Sequence, residues 1–259
     1  MVVVVTLIAC AQTPQKVAIT DKLLDSLSAY KQLTLQNDLY FKLFAEMYPS
    51  THEAYMGRSV AYNKTGSPAV GFALLNKAVE INPQLNLGYR AFVKLYMMHD
   101  YEGALLDCLR LDSLTHFAKP GVWGEEMDMV IGLCYLQIND LPRAHERLTN
   151  ALLSVTKAHG KDWVPPRALL YLAITLMKEN AYTQAISRFD ELIQLCPNFS
   201  EAYYYKAVCY KLQKDTKSAE ATLTTCRQVF AKFGAEKNPY FELPFQIYAS
   251  MLSEISLEH

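Results

Sequence analysis

Large apolar and small residues recur along this chain at fixed steps, and the steps predict paired helices. Between Glu53 and Pro83, the residues Tyr55, Tyr62, Gly71, Ala78 and Pro83 stand 7, 9, 7 and 5 positions apart. Seven residues are two helical turns, so a step of seven returns a side chain to one face of a helix. Tyr55 and Tyr62 therefore mark a first helix, Gly71 and Ala78 a second. The polar run Lys64-Thr65-Gly66-Ser67-Pro68 breaks the two apart, and Pro83 stops the second.

The same steps recur along most of the chain. A worn copy runs Asp21, Ser28, Asn37, Phe44, Pro49, and a third runs Tyr89, Tyr96, Ala104, Leu111 with one residue missing in its turn. Asp128, Tyr135, Ala144, Ala151 make a fourth, Leu169, Leu176, Ala185, Leu192, Pro197 a fifth, and Tyr203, Tyr210, Ala219, Cys226 a sixth. Gly71, Ala104, Ala144, Ala185 and Ala219 fall where a side chain larger than a methyl would hold the first helix away. A repeat that cannot bury its apolar face alone stacks on its neighbours, so the pattern predicts an all-α array. Asn139-Asp140-Leu141-Pro142 and Lys214-Asp215-Thr216 read as further breakers.

This stencil resembles the tetratricopeptide repeat family from about Asp21 to Phe230, most clearly over Tyr55–Pro83, Tyr135–Ala151, Leu169–Pro197 and Tyr203–Cys226. The resemblance implies a right-handed α-α superhelix, a TPR solenoid of about six helix pairs with a C-terminal capping helix. The expected array spans 21–232, as repeats 21–51, 52–85, 86–118, 125–158, 166–199 and 200–232, and the cap spans 239–256. The cap is read from Pro244 to Ile255, where Phe245, Tyr248, Leu252 and Ile255 share one helical face. Two junctions are longer than the family's, around HFAKPGVWGEE and KAHGKDWVPPR, and each holds one of the two tryptophans, Trp123 and Trp163. Each tryptophan is expected to pack back over a neighbouring helix pair; the alternative is a rim contact with a partner.

In that family the first helices line the inside of the superhelix. The positions carried over to this chain are Met56, Val60 and Asn63; Arg90, Lys94 and Met97; Met129, Leu133 and Leu136; Leu170, Ile174 and Met177; Tyr204, Val208 and Lys211. They form the expected protein-binding groove. Its methionines are adaptable, so an apolar peptide or helix is the expected ligand, with Arg90, Lys94 and Lys211 holding a carboxylate at the edge. The other reading of these residues is core, in a tightly wound array or beneath the chain's own N-terminal segment. Chaperone-binding members of the family need polar residues where Met56 and Val60 stand, so chaperone binding is not expected.

Composition narrows the partners. At 259 residues and 51% hydrophobic, the chain can bury a substantial core, and 10 Gly plus 11 Pro leave no low-complexity linker. With 25 Lys and Arg against 26 Asp and Glu, a net charge of −1 gives no footprint for nucleic acid. The apolar run Val2–Cys10 is far shorter than the roughly 20 residues of a membrane span. Leu7-Ile8-Ala9-Cys10 resembles the lipobox of bacterial lipoproteins, in which the cysteine is lipidated. A lipid on Cys10, with 1–12 as signal, lipobox and the start of a tether and 13–20 as the tether's remainder, is the expected membrane anchor. A cleaved secretory signal at Ala9-Cys10-Ala11 and a buried apolar N-terminus without targeting remain open. Leu257-Glu258-His259 reads as a tag remnant.

No chemistry of catalysis is legible. The six histidines lie far apart, the six cysteines contain no CxxC, and neither GxSxG nor HExxH occurs. Cys108, Cys134, Cys196, Cys209 and Cys226 read as small hydrophobes on helices. Glu125-Glu126 reads as a pair stabilising a helix N-terminus. Neither catalytic residue, metal nor cofactor is expected. The sequence points to a non-catalytic interaction scaffold with a protein or peptide partner, lipid-anchored in a bacterial cell envelope, in architecture like the envelope lipoproteins of the family that help assemble outer-membrane proteins or pilus secretins. The competing function is a soluble regulatory sensor closing on a small peptide; a carbohydrate-uptake role fits poorly, since paired aromatics are few.

Overall fold

The computed structural model describes residues 34–254 apart from 117, 119 and 120, together with Lys22 and Ser26, which are helical. The expected signal, the tether and most of the first helix of the worn copy lie outside the described residues, as does the tag remnant. Within the described residues, twelve α-helices can be bounded, and no strand occurs. The chain divides into two compact units, one ending at Asn86 and one beginning at Leu87.

The first unit contains α1 (Leu35–Met47), α2 (His52–Lys64), α3 (Pro68–Ile81) and the start of α4 (Pro83–Phe92). Helices α1 and α3 both pack on α2. The glycine of the stencil does what its smallness requires: a Cβ on Gly71 would fall on the side chain of Asn63. Asn86 is buried, donating to the carbonyls of Ala78 at 3.2 Å and Asn82 at 2.7 Å, and so ties the end of α3 to the next helix.

The second unit continues α4 as a π-helical stretch over Val93–Met97. It then holds α5 (Tyr101–Leu114), α6 (Met127–Gln137), α7 (Leu141–His159), α8 (Pro166–Lys178), α9 (Tyr182–Leu195), α10 (Ser200–Leu212), α11 (Thr216–Phe233) and the short α12 (Ala249–Glu254). The pairs α6·α7, α8·α9 and α10·α11 pack most extensively, and α8 also touches the first helices on either side of it, α6 and α10. First helices therefore form an inner layer and second helices an outer one.

The turn within each repeat has a repeating geometry. One residue takes a left-handed conformation: Gly66, His99, Asn139, Asn180 and Lys214 all have φ between 54° and 81°. Asn tolerates this region better than most L-residues, and Gly tolerates it without strain. The carbonyl of the stencil's second residue then accepts from the amide five residues on, Tyr62 from Ser67, Tyr135 from Asp140, Leu176 from Ala181 and Tyr210 from Asp215. In the third copy, which is one residue short, Asp100 N–H reaches Lys94 instead, and the helix end widens into the π stretch. Asp100, Asp140 and Asp215 each cap the following helix through the backbone N–H three residues on.

The small positions are buried as the packing requires: Ala104, Ala144 and Ala185 are fully inaccessible and Ala219 is 1% exposed. Ala219→Leu is expected to destabilise the fold by about 1–3 kcal/mol through overpacking. Glu220→Leu, on the exposed side of the same helix, should change stability by less than about 0.5 kcal/mol. Thermal denaturation of the two variants checks the assignment, and equal melting temperatures would refute it.

Four of the described cysteines, Cys108, Cys134, Cys209 and Cys226, are buried and all five are unbridged. Burial pushes the thiols of Cys134, Cys209 and Cys226 up to about 12, which removes the thiolate reactivity a catalytic cysteine needs.

Candidate functional site

The two junctions that exceed the family's repeat length bring charge to the inner layer. At the first, Val122 and Glu125 pair across a tight turn whose two central residues, Trp123 and Gly124, both have positive φ. Val122 is buried, Trp123 stacks on Tyr89 with ring centroids 4.3 Å apart, and Glu125 turns inward to accept from the Tyr96 hydroxyl at 2.6 Å. At the second, α7 runs on to His159, Gly160 breaks it, and Pro165-Pro166 starts α8 so that Arg167 stands in its first turn. Arg167 pairs with Glu125 at 3.0 Å and with Glu236 at 3.5 Å. Burial pushes the carboxyls of Glu125 and Glu236 above the usual range, and Arg167 pulls both back down.

Glu236 belongs to the segment after α11. Gly234 ends that helix with φ 75°, and its carbonyl accepts from the Ser200 hydroxyl at 2.7 Å. The chain then runs without helix to Tyr248, across the inner layer. Glu236 N–H donates to Glu201 at 3.0 Å. The Phe241 ring packs on Phe92 and Tyr96 of the third repeat, with centroids 5.4 and 4.9 Å away. Phe245 packs between Tyr171 and Tyr205 at 6.1 and 6.3 Å, and its carbonyl accepts from the Tyr205 hydroxyl at 3.2 Å. Ile247 and Leu252 then bury themselves beside Leu223 and Cys226 of the last pair, and Arg227 holds the Leu252 carbonyl at 2.9 Å.

The expected C-terminal cap is helical over Ala249–Glu254 and non-helical before it. Pro244 lacks an amide hydrogen and biases Leu243 toward extended backbone, Phe245 is left-handed at φ 63°, and among the described residues helix resumes over Ala249–Glu254. Phe245 and Leu252 serve two different contacts rather than one face.

The expected groove residues divide by environment. Met129, Leu133, Leu136, Leu170 and Ile174 are buried at 3% exposure or less, because α6 and α8 are enclosed by helices on several sides. They are core, not a solvated floor. Arg90 and Lys94 do not offer an edge to a carboxylate either. Arg90 grips Asp107 of α5 through two hydrogen bonds of 2.8 and 2.7 Å, and Lys94 adds an ion pair at 2.9 Å. In the first unit Val60 and Asn63 are buried and Met56 half-buried. Met97, Met177, Tyr204 and Val208 are half-buried and Lys211 is exposed. Cys10 lies outside the described residues.

The inner-face residues that touch the C-terminal segment sit elsewhere in the register. Arg167 and Tyr171 stand two before and two after the leading Leu169, and Glu201 and Tyr205 take the same places about Tyr203. Each pair recurs 34 residues apart, the signal that would have found them. Of the tryptophans, Trp123 packs back as expected on Tyr89, whereas Trp163 is 72% exposed, with the His159 ring 6.1 Å away. Glu126 caps α6 through Met129 N–H at 2.6 Å as expected of the acidic pair, but Glu125 enters the interior.

Tetratricopeptide repeat family models match this chain at residues 167–198 and 189–221, the fifth and sixth copies of the stencil. By sequence alone no curated protein matches it. Its fold is similar to that of PilW, a widely conserved type IV pilus biogenesis factor, at TM-score 0.62 and 13% identity over 87% of this chain and 97% of that one. It is similar to pilF of Pseudomonas aeruginosa at TM-score 0.59 and 18% identity over 82% and 91%. YrrB, a TPR protein with an unusual peptide-binding site, matches at TM-score 0.55 and 14% identity over 73% and 91%. At these identities the likeness is one of fold: tetratricopeptide-type helix pairs stacked in an array.

Proposed function

We propose that this protein is a non-catalytic interaction scaffold that holds an extended peptide on the inner face of its first helices, and that lipid on Cys10 tethers it in a bacterial cell envelope. The observation that carries the reading is the segment 236–245 itself. A non-helical stretch of polypeptide lies across the inner layer with its phenylalanines on Phe92, Tyr96, Tyr171 and Tyr205. Aromatic side chains supply large contact area at low entropic cost, and such pockets dominate peptide recognition. The pilus biogenesis factor among the similar folds supports a role in assembling an envelope complex. A net charge of −1 gives the chain no overall attraction to an anionic membrane, whereas a fatty chain adds roughly 0.8 kcal/mol per buried methylene.

Two measurements test this. A photo-crosslinking residue placed at Val208, half-buried on α10, is expected to capture a protein in the native host, with a control at exposed Lys217 capturing none of it. Equal products from both positions would refute the inner-face reading. Metabolic labelling with a radioactive fatty acid is expected to mark the protein and to be lost in Cys10→Ala; label retained by that variant would refute the anchor.

A further inference from the structure

The segment after α11 has the form of a tongue pinned at both ends. Ala235 on one side, Ile247 and Leu252 on the other, are buried in the cluster with Ala207, Leu223 and Cys226. Between the pins the chain is neither helix nor strand. It meets the inner layer through side-chain contacts and two backbone bonds, Glu236 N–H to Glu201 and Phe245 C=O from Tyr205. Phe241 and Phe245 are half-buried, and Leu243 between them is 6% exposed. The turn that brings Phe245 back over Tyr171 holds it at φ 63°, a conformation costly for a phenylalanine. A separate peptide carrying the same side chains need not make that turn.

These features separate the tongue from the core it covers. We propose that residues 236–245 are a resident, displaceable occupant of the inner face, which binds in trans an extended partner segment of the same chemistry: a carboxylate against Arg167 and, five and nine residues later, two phenylalanines against Phe92–Tyr96 and Tyr171–Tyr205. This rests on the scaffold reading above. The tongue competes intramolecularly at high effective concentration, so the resting protein binds such a segment weakly and a partner must displace the tongue to engage. Asn238-Pro239 and Leu243-Pro244 bias the residues before each proline away from helix on either side of Phe241.

The test uses the full chain and a fluorescent peptide of residues 234–248. Removing the tongue's anchors with Phe241→Ala and Phe245→Ala is expected to tighten peptide binding by at least about tenfold over the unaltered chain. A peptide with both phenylalanines replaced by alanine should show no such gain. A double variant that keeps its helical circular dichroism yet binds no more tightly overturns the proposal. Hydrogen exchange on the unaltered chain decides independently of whether that variant folds. Amides of Glu236 and Phe241 are expected to exchange at least about tenfold faster than central amides of α8 and α10, through local opening. Equal protection would make the tongue fixed core and overturn its displacement, while crosslinking from Val208 would still stand for the scaffold. A dimer that forms by exchange of tongues and abolishes peptide binding would assign the face to a second copy, and likewise overturn it.

Discussion

Leu133→Glu should abolish or nearly abolish the cooperative unfolding transition of the unit beginning at Leu87. Leu133 is fully inaccessible in the middle of α6, and α5, α7 and α8 all pack on that helix. The substitution removes an apolar side chain from a close-packed site and puts a carboxyl in its place. Losing a buried leucine alone costs about 2–5 kcal/mol. Burying an unpaired polar group adds about 1–3 kcal/mol even when the carboxyl takes up a proton. The sum, on the order of 3–8 kcal/mol, is comparable to the whole stability of a typical domain, about 5–15 kcal/mol. Met177→Glu, at a half-buried position on α8, should cost about 1 kcal/mol. Urea denaturation followed by circular dichroism checks the contrast. Similar midpoints for the two variants would show that Leu133 does face solvent, as an open groove requires.

That contrast also shows which parts of the molecule are legible in the chain. Helix pairing is a local property: steps of 7, 9 and 7 residues and a left-handed turn residue report it directly, and Gly71, Ala104, Ala144, Ala185 and Ala219 all lie where the steps put them. Which face of a first helix remains open depends on how many neighbours enclose it, and nothing in the local pattern of Met129, Leu133 and Leu136 reports that α8 lies beside α6. Arg90 and Lys94 look like a basic edge until α5 supplies Asp107, 17 residues after Arg90. The tongue was masked by a coincidence of period: Phe245, Tyr248, Leu252 and Ile255 fit a helical face, yet Pro244 and the left-handed Phe245 forbid the first turn of that helix. The inner-face positions Arg167, Tyr171, Glu201 and Tyr205 carry a 34-residue signal, but it is one of many in a repeat protein and gains meaning only from the segment lying on them.

Arg167→Met should produce the second large effect, and one that depends on pH. Arg167 is the cation shared by Glu125, whose side chain is 13% exposed, and Glu236, which is 37% exposed. Removing it leaves Glu125 buried and uncompensated apart from the Tyr96 hydroxyl, with Tyr171 also facing the site. Breaking a buried pair by deleting one partner costs about 3–5 kcal/mol. Solvent screening of Glu236 places the expected loss at the lower end, about 3 kcal/mol at pH 7. Burial already holds both carboxyls above their unfolded values, and Arg167 is the group that limits the rise. In the variant the folded values therefore climb further. A carboxyl whose folded value exceeds its unfolded one binds its proton more tightly in the folded state, so stability falls as pH rises through the window between the two. Below the unfolded value, near 4.3, the carboxyls are protonated in both states and that loss is absent. The gap between parent and variant should consequently be widest near neutrality and shrink as the pH is lowered toward about 4.5. Glu201, also raised by burial, is present in both proteins and drops out of the comparison to the extent that Arg167 does not touch it. Denaturation midpoints of the two proteins across this range measure the difference directly. A gap that stays constant or widens on acidification would mean that Arg167 contributes packing by its stem and no charge compensation, and the ionic tie between the tongue and the inner layer would have to be abandoned.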